Sequence, residues 1–429
     1  MTNSELATNK PKKLLIITSS GGGGLIQSAN AKEQEALAKD PNLVVVRRDV
    51  LKDWVPFGSF CINIWNKSQK QGHVLAQILC VKGQPLGDIL LYPSIFFNAL
   101  YTILKEDVDQ IIDTQPLGTS AIVRALNIFN RKRKKNVYIE KVLVDLPTKK
   151  ATHFFRSIKK LAKNRRHLLR LTSIAPLLAE GETAEEFWQE TCGLSEKEVN
   201  LEEVYVRQAF RKFKGKSRSL EPMQIKVRYK NREELSLMRE SFERGPIHAH
   251  VGEHEVEFLV APKDRMVTIL LGSQPAGEAT GNYVKKFAEI AKDYPENPIH
   301  LFVFCADHKE GEQTLFKRVT EVVREIKNYP KNLSIIPFSF QKEDVIAPLF
   351  YRSDLTCTRS GGQTAMELMC VSTGEIWIHS EAKLGQNPIE GIPGWEAASA
   401  LYLQKLCGAK ILTPEIFEPH ARRIFSVQK

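Results

Sequence analysis

The sequence predicts an α/β protein of two domains. A strand, a glycine-rich loop and a helix follow one another three times, and strands otherwise alternate with helices over most of the chain. The three occurrences are Lys13–Thr18 with Ser19-Ser20-Gly21-Gly22-Gly23-Gly24 and Leu25–Lys39; Met266–Leu271 with Gly272-Ser273-Gln274 and Tyr283–Ala291; and Asp354–Thr358 with Arg359-Ser360-Gly361-Gly362 and Gln363–Met369. A length of 429 residues exceeds one typical core, which argues for two domains.

The remaining elements follow in order. Leu43–Arg47 reads as a second strand, and Val74–Cys80 and Ile95–Leu104 have helical composition. Val108–Asp113 is a strand running into Thr114-Gln115-Pro116, Gly118–Phe129 a helix, and Val137–Val144 another strand. Between residues 151 and 264 the rhythm loosens into an acidic helical stretch, Glu180–Glu190, and a basic run, Arg207–Arg218. Regularity returns with the strand at Met266, the strand His300–Cys305, a helix near Glu312–Tyr329 and the strand that ends at Ile335-Ile336-Pro337-Phe338. The expected organisation is therefore a first domain over 1–150, an insertion or elaborated interdomain connection over 151–264, and a second domain over 265–429.

Composition bounds the function classes. The chain is 42% hydrophobic and 26% charged, and no apolar run approaches the roughly 18 residues of a membrane span. The opening MTNSELATNKPKK is polar and leads directly into a strand, so a cytoplasmic location is expected. Cys61, Cys80, Cys192, Cys305, Cys357, Cys370 and Cys407 lack C-x-x-C spacing, which disfavours a disulfide framework or a zinc ribbon. With 61 Lys+Arg against 50 Asp+Glu, the net charge of +11 suits phosphate-bearing ligands, anionic lipid or nucleic acid.

The third glycine turn describes an anion site. Glycines keep Cβ atoms away from a phosphate, the following helix presents unpaired N–H groups and a positive dipole end, and Arg359 adds a fixed cation. Glu367, one turn into the helix, is placed to accept hydrogen bonds from ribose hydroxyls. A competing reading uses the same residues: Ser360-x-x-Gln363 and Thr364-x-x-Glu367 both fit a capping box, in which Glu367 only closes the helix start.

In order and spacing these motifs resemble GT-B glycosyltransferases, in the branch that contains the bacterial N-acetylglucosaminyltransferase of the peptidoglycan lipid precursor and monogalactosyldiacylglycerol synthase. Leu271-Gly272-Ser273-Gln274 is similar to the family's first glycine loop of the donor domain, and Ile335-Ile336-Pro337-Phe338 to its base-binding loop. Arg359-Ser360-Gly361-Gly362-Gln363-Thr364-x-x-Glu367 resembles the S-G-G-x-T-x-x-E donor motif. Pro393-Gly394-Trp395-Glu396-Ala397-Ala398-Ser399-Ala400 resembles the P-G-Q-E-x-x-N-A loop facing the donor sugar, with Trp395 for Gln and Ser399 for Asn. In the first domain Gly22-Gly23-Gly24-Leu25 sits where the family has G-G-G-H, and Gln115 stands where it often has His.

The resemblance implies two Rossmann-like domains facing a cleft, with the acceptor on the first and a nucleotide sugar on the second, and with no cofactor and no metal. It implies donor-binding roles for Gly272, Ser273, Phe338, Arg359, Ser360, Gly361, Gly362, Gln363, Thr364, Glu367, Trp395 and Glu396, and an acceptor-side loop at Gly22, Gly23 and Gly24. Arg359 is then the stabiliser of the leaving diphosphate. Asp145, at the carboxyl end of a strand, is the candidate base, with Asp113 as a second. His248, His250 and His254 read as an exposed polar strand or loop, because no further ligand cluster completes a metal site. Arg131-Lys132-Arg133-Lys134-Lys135 and the group Lys159, Lys160, Lys163, Arg165 and Arg166 are expected to be solvated faces or to dock the acceptor half on an anionic membrane or another polyanion; no nucleic acid is expected, since stacking aromatics are sparse. The expected activity is sugar transfer to a lipid, protein or glycan. A catalytically silent binding module and a sugar-nucleotide epimerase are the alternatives.

Overall fold

A computed structural model describes residues 11–71, 73–273 and 275–426. The chain divides into two compact units: residues up to Asn63 with Val81–Tyr205, and Ile64–Cys80 with Val206 onward.

The first unit contains strands β1 (Lys13–Thr18), β2 (Val44–Asp49), β3 (Gln110–Asp113), β4 (Ile139–Val142), β5 (Leu169–Ser173) and β6 (Val199–Leu201). Its helices are α1 (Gly23–Lys39), α4 (Tyr92–Glu106), α5 (Thr119–Arg133), α6 (Thr152–Lys159) and α7 (Ala184–Cys192), while α2 (Gly58–Lys70) and α3 (Val74–Leu90) run across the division between units. The strands form one parallel six-stranded sheet in the order β2-β1-β3-β4-β5-β6. Leu14, Leu15, Ile16 and Ile17 are all fully buried, as expected of a parallel strand covered on both faces. In α5 the apolar positions Ala121, Ile122, Ala125, Leu126 and Phe129 follow helical spacing and form one wholly buried stripe.

The second unit holds α8 (Gln208–Arg211), β7 (Met223–Arg228), α9 (Arg232–Phe242), β8 (His248–Val251) and β9 (Glu255–Val260), then β10 (Arg265–Leu270), α10 (Gly277–Ala291), β11 (Ile299–Phe304), α11 (Leu315–Glu325) and β12 (Leu333–Phe338). It continues with α12 (Glu343–Arg352), β13 (Leu355–Thr358), α13 (Gly362–Val371), β14 (Glu375–His379), α14 (Gly394–Cys407), β15 (Lys410–Leu412) and α15 (Glu418–Ser426). Its parallel sheet runs β12-β11-β10-β13-β14-β15. Numbered within that sheet, the order is 3-2-1-4-5-6, that of a Rossmann-like doubly wound domain. A small antiparallel sheet, β7-β9-β8, packs onto it through Phe258, whose ring meets Phe242 at 5.1 Å and Phe302 at 5.7 Å.

The α/β class and two parallel sheets agree with the sequence, but the separate connection over 151–264 is corrected. Residues up to Tyr205 complete the first sheet with β5 and β6, and Val206 onward belongs to the second unit. Those two strands are five and three residues long, each carries exposed or polar positions and β6 lies at the sheet edge, so they lack the continuous apolar run that marks β1. The acidic stretch forms α7, closed by a capping box between Thr183 and Glu186.

Buried charge ties the framework. In the first unit Lys141 and Asp113 pair at 2.7 Å with both side chains inaccessible, and Lys141 also donates to the carbonyl of Gln115. In the second, the carboxylate of Asp354 just before β13 accepts from both terminal nitrogens of Arg218 and, at 2.9 Å, from the Met266 N–H, and Arg265 pairs with it at 3.2 Å. Burial pushes the Asp354 carboxyl up, but the Arg218 guanidinium, the Met266 N–H and Arg352 outweigh it and hold the group below the ordinary carboxylate range. A depressed folded-state pKa contributes stability above the unfolded value, about 3.9, and that contribution disappears as pH falls through the folded value. Arg218→Met is therefore expected to cost about 2 kcal/mol at pH 7 and distinctly less near pH 3 in urea unfolding. An equal cost at both pH values would show that packing and not charge carries the contact.

Candidate functional site

Within the second unit the strand order reverses direction between β10 and β13, which places the loops at their carboxyl ends beside one another. After β10, Gly272 takes a positive φ of 81°, and a Cβ built on it would lie 3.5 Å from Cδ of Arg359, which follows β13. The two glycine loops that the sequence set apart by about a hundred residues thus meet at one place. Gln274 lies outside the described residues.

The turn itself is built for approach from outside. Helix α13 starts at Gly362 with Gly361 as its N-cap, a residue that has no side chain to cap the helix. A Cβ on Gly361 would meet nothing within 4 Å. The same holds at Gly394, the start of α14, whose N-cap Pro393 also supplies no side-chain acceptor. Ser360 is buried and donates through Oγ to the carbonyl of Glu396 at 2.7 Å, which fixes the turn against α14. Two helix starts and an open space converge on one cation, the guanidinium of Arg359, which pairs with the Glu396 carboxylate at 3.1 Å and donates to Gln77 at 3.4 Å.

The capping-box reading does not survive. Glu367 is buried and does not turn back to the helix start; its carboxylate accepts from Arg207 at 2.8 and 3.0 Å and from Gln363 at 3.3 Å. Thr364 is half-buried beside them on the first turn. Trp395 stacks on Trp65 with ring centroids 6.3 Å apart. Ser273 is half-buried in the loop after β10. Phe338 is different, being wholly buried against Phe304 at 5.7 Å, with its carbonyl taken by the Cys305 N–H. It is a core residue, and Phe340 is the exposed aromatic at that strand end.

In the first unit the order reverses between β1 and β3. There Gly22, with φ 135°, caps the start of α1 at Gly23 and Gly24, and Thr114 ties the two strand ends together by bonds to Thr18 at 3.1 Å and to the Leu25 carbonyl at 3.0 Å. Asp113 is removed as a candidate base, because Lys141 holds it fully buried. Asp145 remains at the carboxyl edge after β4 and pairs with Nε2 of His153 at 2.9 Å, both side chains slightly exposed. His153 also lines a cavity of about 380 Å³ together with Tyr92, Thr119, Arg156 and Lys160. At its rim Asp88 accepts from the Gly118 N–H at 2.7 Å, and burial pushes that carboxyl up.

Sequence reasoning missed His153, Arg207, Trp65 and Gln77. Arg207 was hidden in a basic run, and the others carry no local signal, since only folding brings them to their partners. The basic runs are also less uniform than expected: Lys135 is engaged by Asp107 at 3.2 Å and Asp109 at 2.9 Å, and Arg166 donates to the Gly193 carbonyl at 2.6 Å, while Arg131, Lys132, Arg133 and Lys134 are exposed. His248 and His250 lie on the exposed strand β8.

No family model matches the sequence, and no curated protein matches it. Among solved structures the chain is similar to MurG of Acinetobacter baumannii, at 14% identity over 97% of this chain and 92% of that one with a TM-score of 0.47. It is similar to the UDP-GlcNAc 2-epimerase of Methanocaldococcus jannaschii at 12% identity, with 97% and 92% covered and a TM-score of 0.45. The spinosyn rhamnosyltransferase SpnG matches at 10% identity, with 97% and 90% covered and a TM-score of 0.41. The architecture stands on the strand order of each sheet, and no reaction is carried over from these proteins.

The geometry of the loop after β10 yields a direct check. Gly272→Ala forces an L-residue into the left-handed region beside Arg359 and is expected to lower stability by about 1–2 kcal/mol in urea unfolding. Unchanged stability would mean that the loop holds a different backbone conformation.

Proposed function

We propose that this chain transfers a sugar from a nucleoside-diphosphate donor, with the diphosphate held by the second unit at the β10–β13 switch point. The observation that carries the reading is the convergence there of two helix starts without side-chain caps, an open face over Gly361 and the guanidinium of Arg359. Departure of a sugar leaves about two negative charges on the diphosphate, and aligned N–H groups, helix dipoles and a cation meet that charge without waiting for solvent to reorganise. Arg359 must exchange Glu396 for the phosphate, which keeps it oriented until the ligand arrives. A fixed positive framework of this kind supports a transfer that needs no divalent metal.

In the first unit the Asp145–His153 pair is the proposed base. A carboxylate that holds one imidazole nitrogen orients the ring and stabilises its protonated form, the arrangement that draws a proton from an acceptor hydroxyl. The acceptor reading favoured is a membrane lipid. Leu86, Ile89 and Leu90 of α3 and Phe97 and Tyr101 of α4 are 62–70% exposed, and the exposed run Arg131–Lys134 belongs to the same unit. Peripheral contact is the form proposed; among the described residues no single helix is long and apolar enough to cross a membrane, and α3 and α4, bent by 66°, reach that length and composition only together.

The test is a panel of nucleotide sugars ranked by thermal shift, followed by release of nucleoside diphosphate measured with and without EDTA. Arg359→Lys keeps charge and loses the planar fork, so turnover is expected to fall about tenfold or more while donor affinity changes less. Activity abolished by EDTA and restored by manganese, or full turnover in Arg359→Lys, would overturn the mechanism. An epimerised sugar released without any acceptor would identify an epimerase instead.

A further inference from the structure

Glu367 is already occupied. A carboxylate offers about four acceptor positions. Oε1 takes the Arg207 Nε–H at 2.8 Å and the Gln363 amide at 3.3 Å, and Oε2 takes Arg207 Nη2 at 3.0 Å. One position is left, whereas the two neighbouring hydroxyls of a ribose need two. The guanidinium also lies on the carboxylate as a cover, since the two side chains are only 7% and 4% exposed.

Arg207 has somewhere else to go. Its Nη1 stands 3.7 Å from the carboxylate of Glu343 at the start of α12, a side chain 25% exposed. The guanidinium carbon sits 5.0 Å from the centre of the Phe210 ring, a cation–π contact beside both carboxylates. The residue is also the second after the chain enters the unit at Val206.

We propose that Arg207 is a latch on the nucleoside site: a ribose diol displaces it from Glu367, and the released guanidinium swings to Glu343. This rests on the donor-site reading above and adds how that site selects its ligand. Nucleotide affinity is then a competition, because the ribose gains the Glu367 carboxylate only by giving up the Arg207 pair. A 2′-deoxynucleotide, with one hydroxyl at this edge, is served by the single acceptor position left and does not open the latch. The parent protein therefore discriminates weakly between ribose and deoxyribose, although it carries a buried carboxylate of the kind suited to strong discrimination.

The experiment titrates UDP, GDP and ADP and their 2′-deoxy counterparts calorimetrically into the parent, Arg207→Met and Glu343→Gln. In the parent the ribonucleotide that binds best should exceed its deoxy form by no more than about threefold. Arg207→Met leaves Glu367 buried without its cation, so the ribonucleotide should tighten by about tenfold while the deoxy form stays within about twofold. Glu343→Gln removes the second anchor and should weaken only the ribonucleotide, erasing its margin of up to about threefold over the deoxy form. This variant alters a part-exposed side chain and decides the matter alone if Arg207→Met does not fold. Weaker ribonucleotide binding in Arg207→Met, or equal shifts for ribo and deoxy forms in both variants, would overturn the latch while leaving the nucleotide site intact. If none of the nucleotides binds the parent or either variant, the donor-site reading itself falls and the latch with it.

Discussion

The reversal of strand order between β10 and β13 is the constraint on which the second unit depends. A parallel strand is joined to its neighbour by a right-handed crossover, so a sheet that grows one way from β10 and the other way from β13 must place its connecting helices on opposite faces. Where the two directions part, the loops have no helix lying across them. The features of the site follow from it: Gly272 can turn with positive φ, Arg359 can lie against it, and the Cβ side of Gly361, just ahead of α13, is open.

Rigid elements hold this place. All four residues of β13 are buried, and Asp354, one residue before it, is clamped by Arg218, Arg265 and a backbone N–H. Ser360 anchors the turn to α14. An exposed helix start is costly only when its N–H groups are denied both partners and water, so a site open at Gly361 and Gly394 can wait for an anion without local strain. Its charges stand in pairs, Arg359 with Glu396 and Arg207 with Glu367, so under the proposed function binding would exchange partners and expose no bare charge.

The α/β fold and the glycine turns were legible because their signals are local. Continuous apolar runs such as Leu14–Ile17, and glycine turns between a strand and a helix, are written in consecutive residues. The short strands β5 and β6, the latter at the sheet edge, are held by their neighbours in the sheet and not by their own pattern, which is why the segment after residue 150 was misread. The partners of the site residues were illegible for the same reason. Arg207 reaches Glu367 across 160 positions, and Asp113 differs from Asp145 only in what folding sets beside it: Lys141 in one case, His153 in the other. Phe338 had the right place in a motif and the wrong side of the strand, since a residue at the end of a fully buried strand packs inward.

The central claim is that a diphosphate sits over Gly361, and one added methyl group tests it. Gly361 has φ −60°, which any L-residue adopts, and its Cβ would enter open space, so Gly361→Ala should fold and unfold like the parent. The same methyl group would occupy the seat of a phosphate oxygen. Titration with inorganic pyrophosphate and UDP is expected to show binding to the parent and a loss of about tenfold or more in the variant at unchanged stability. Equal affinity in a stable Gly361→Ala protein would place the anion elsewhere and contradict the account.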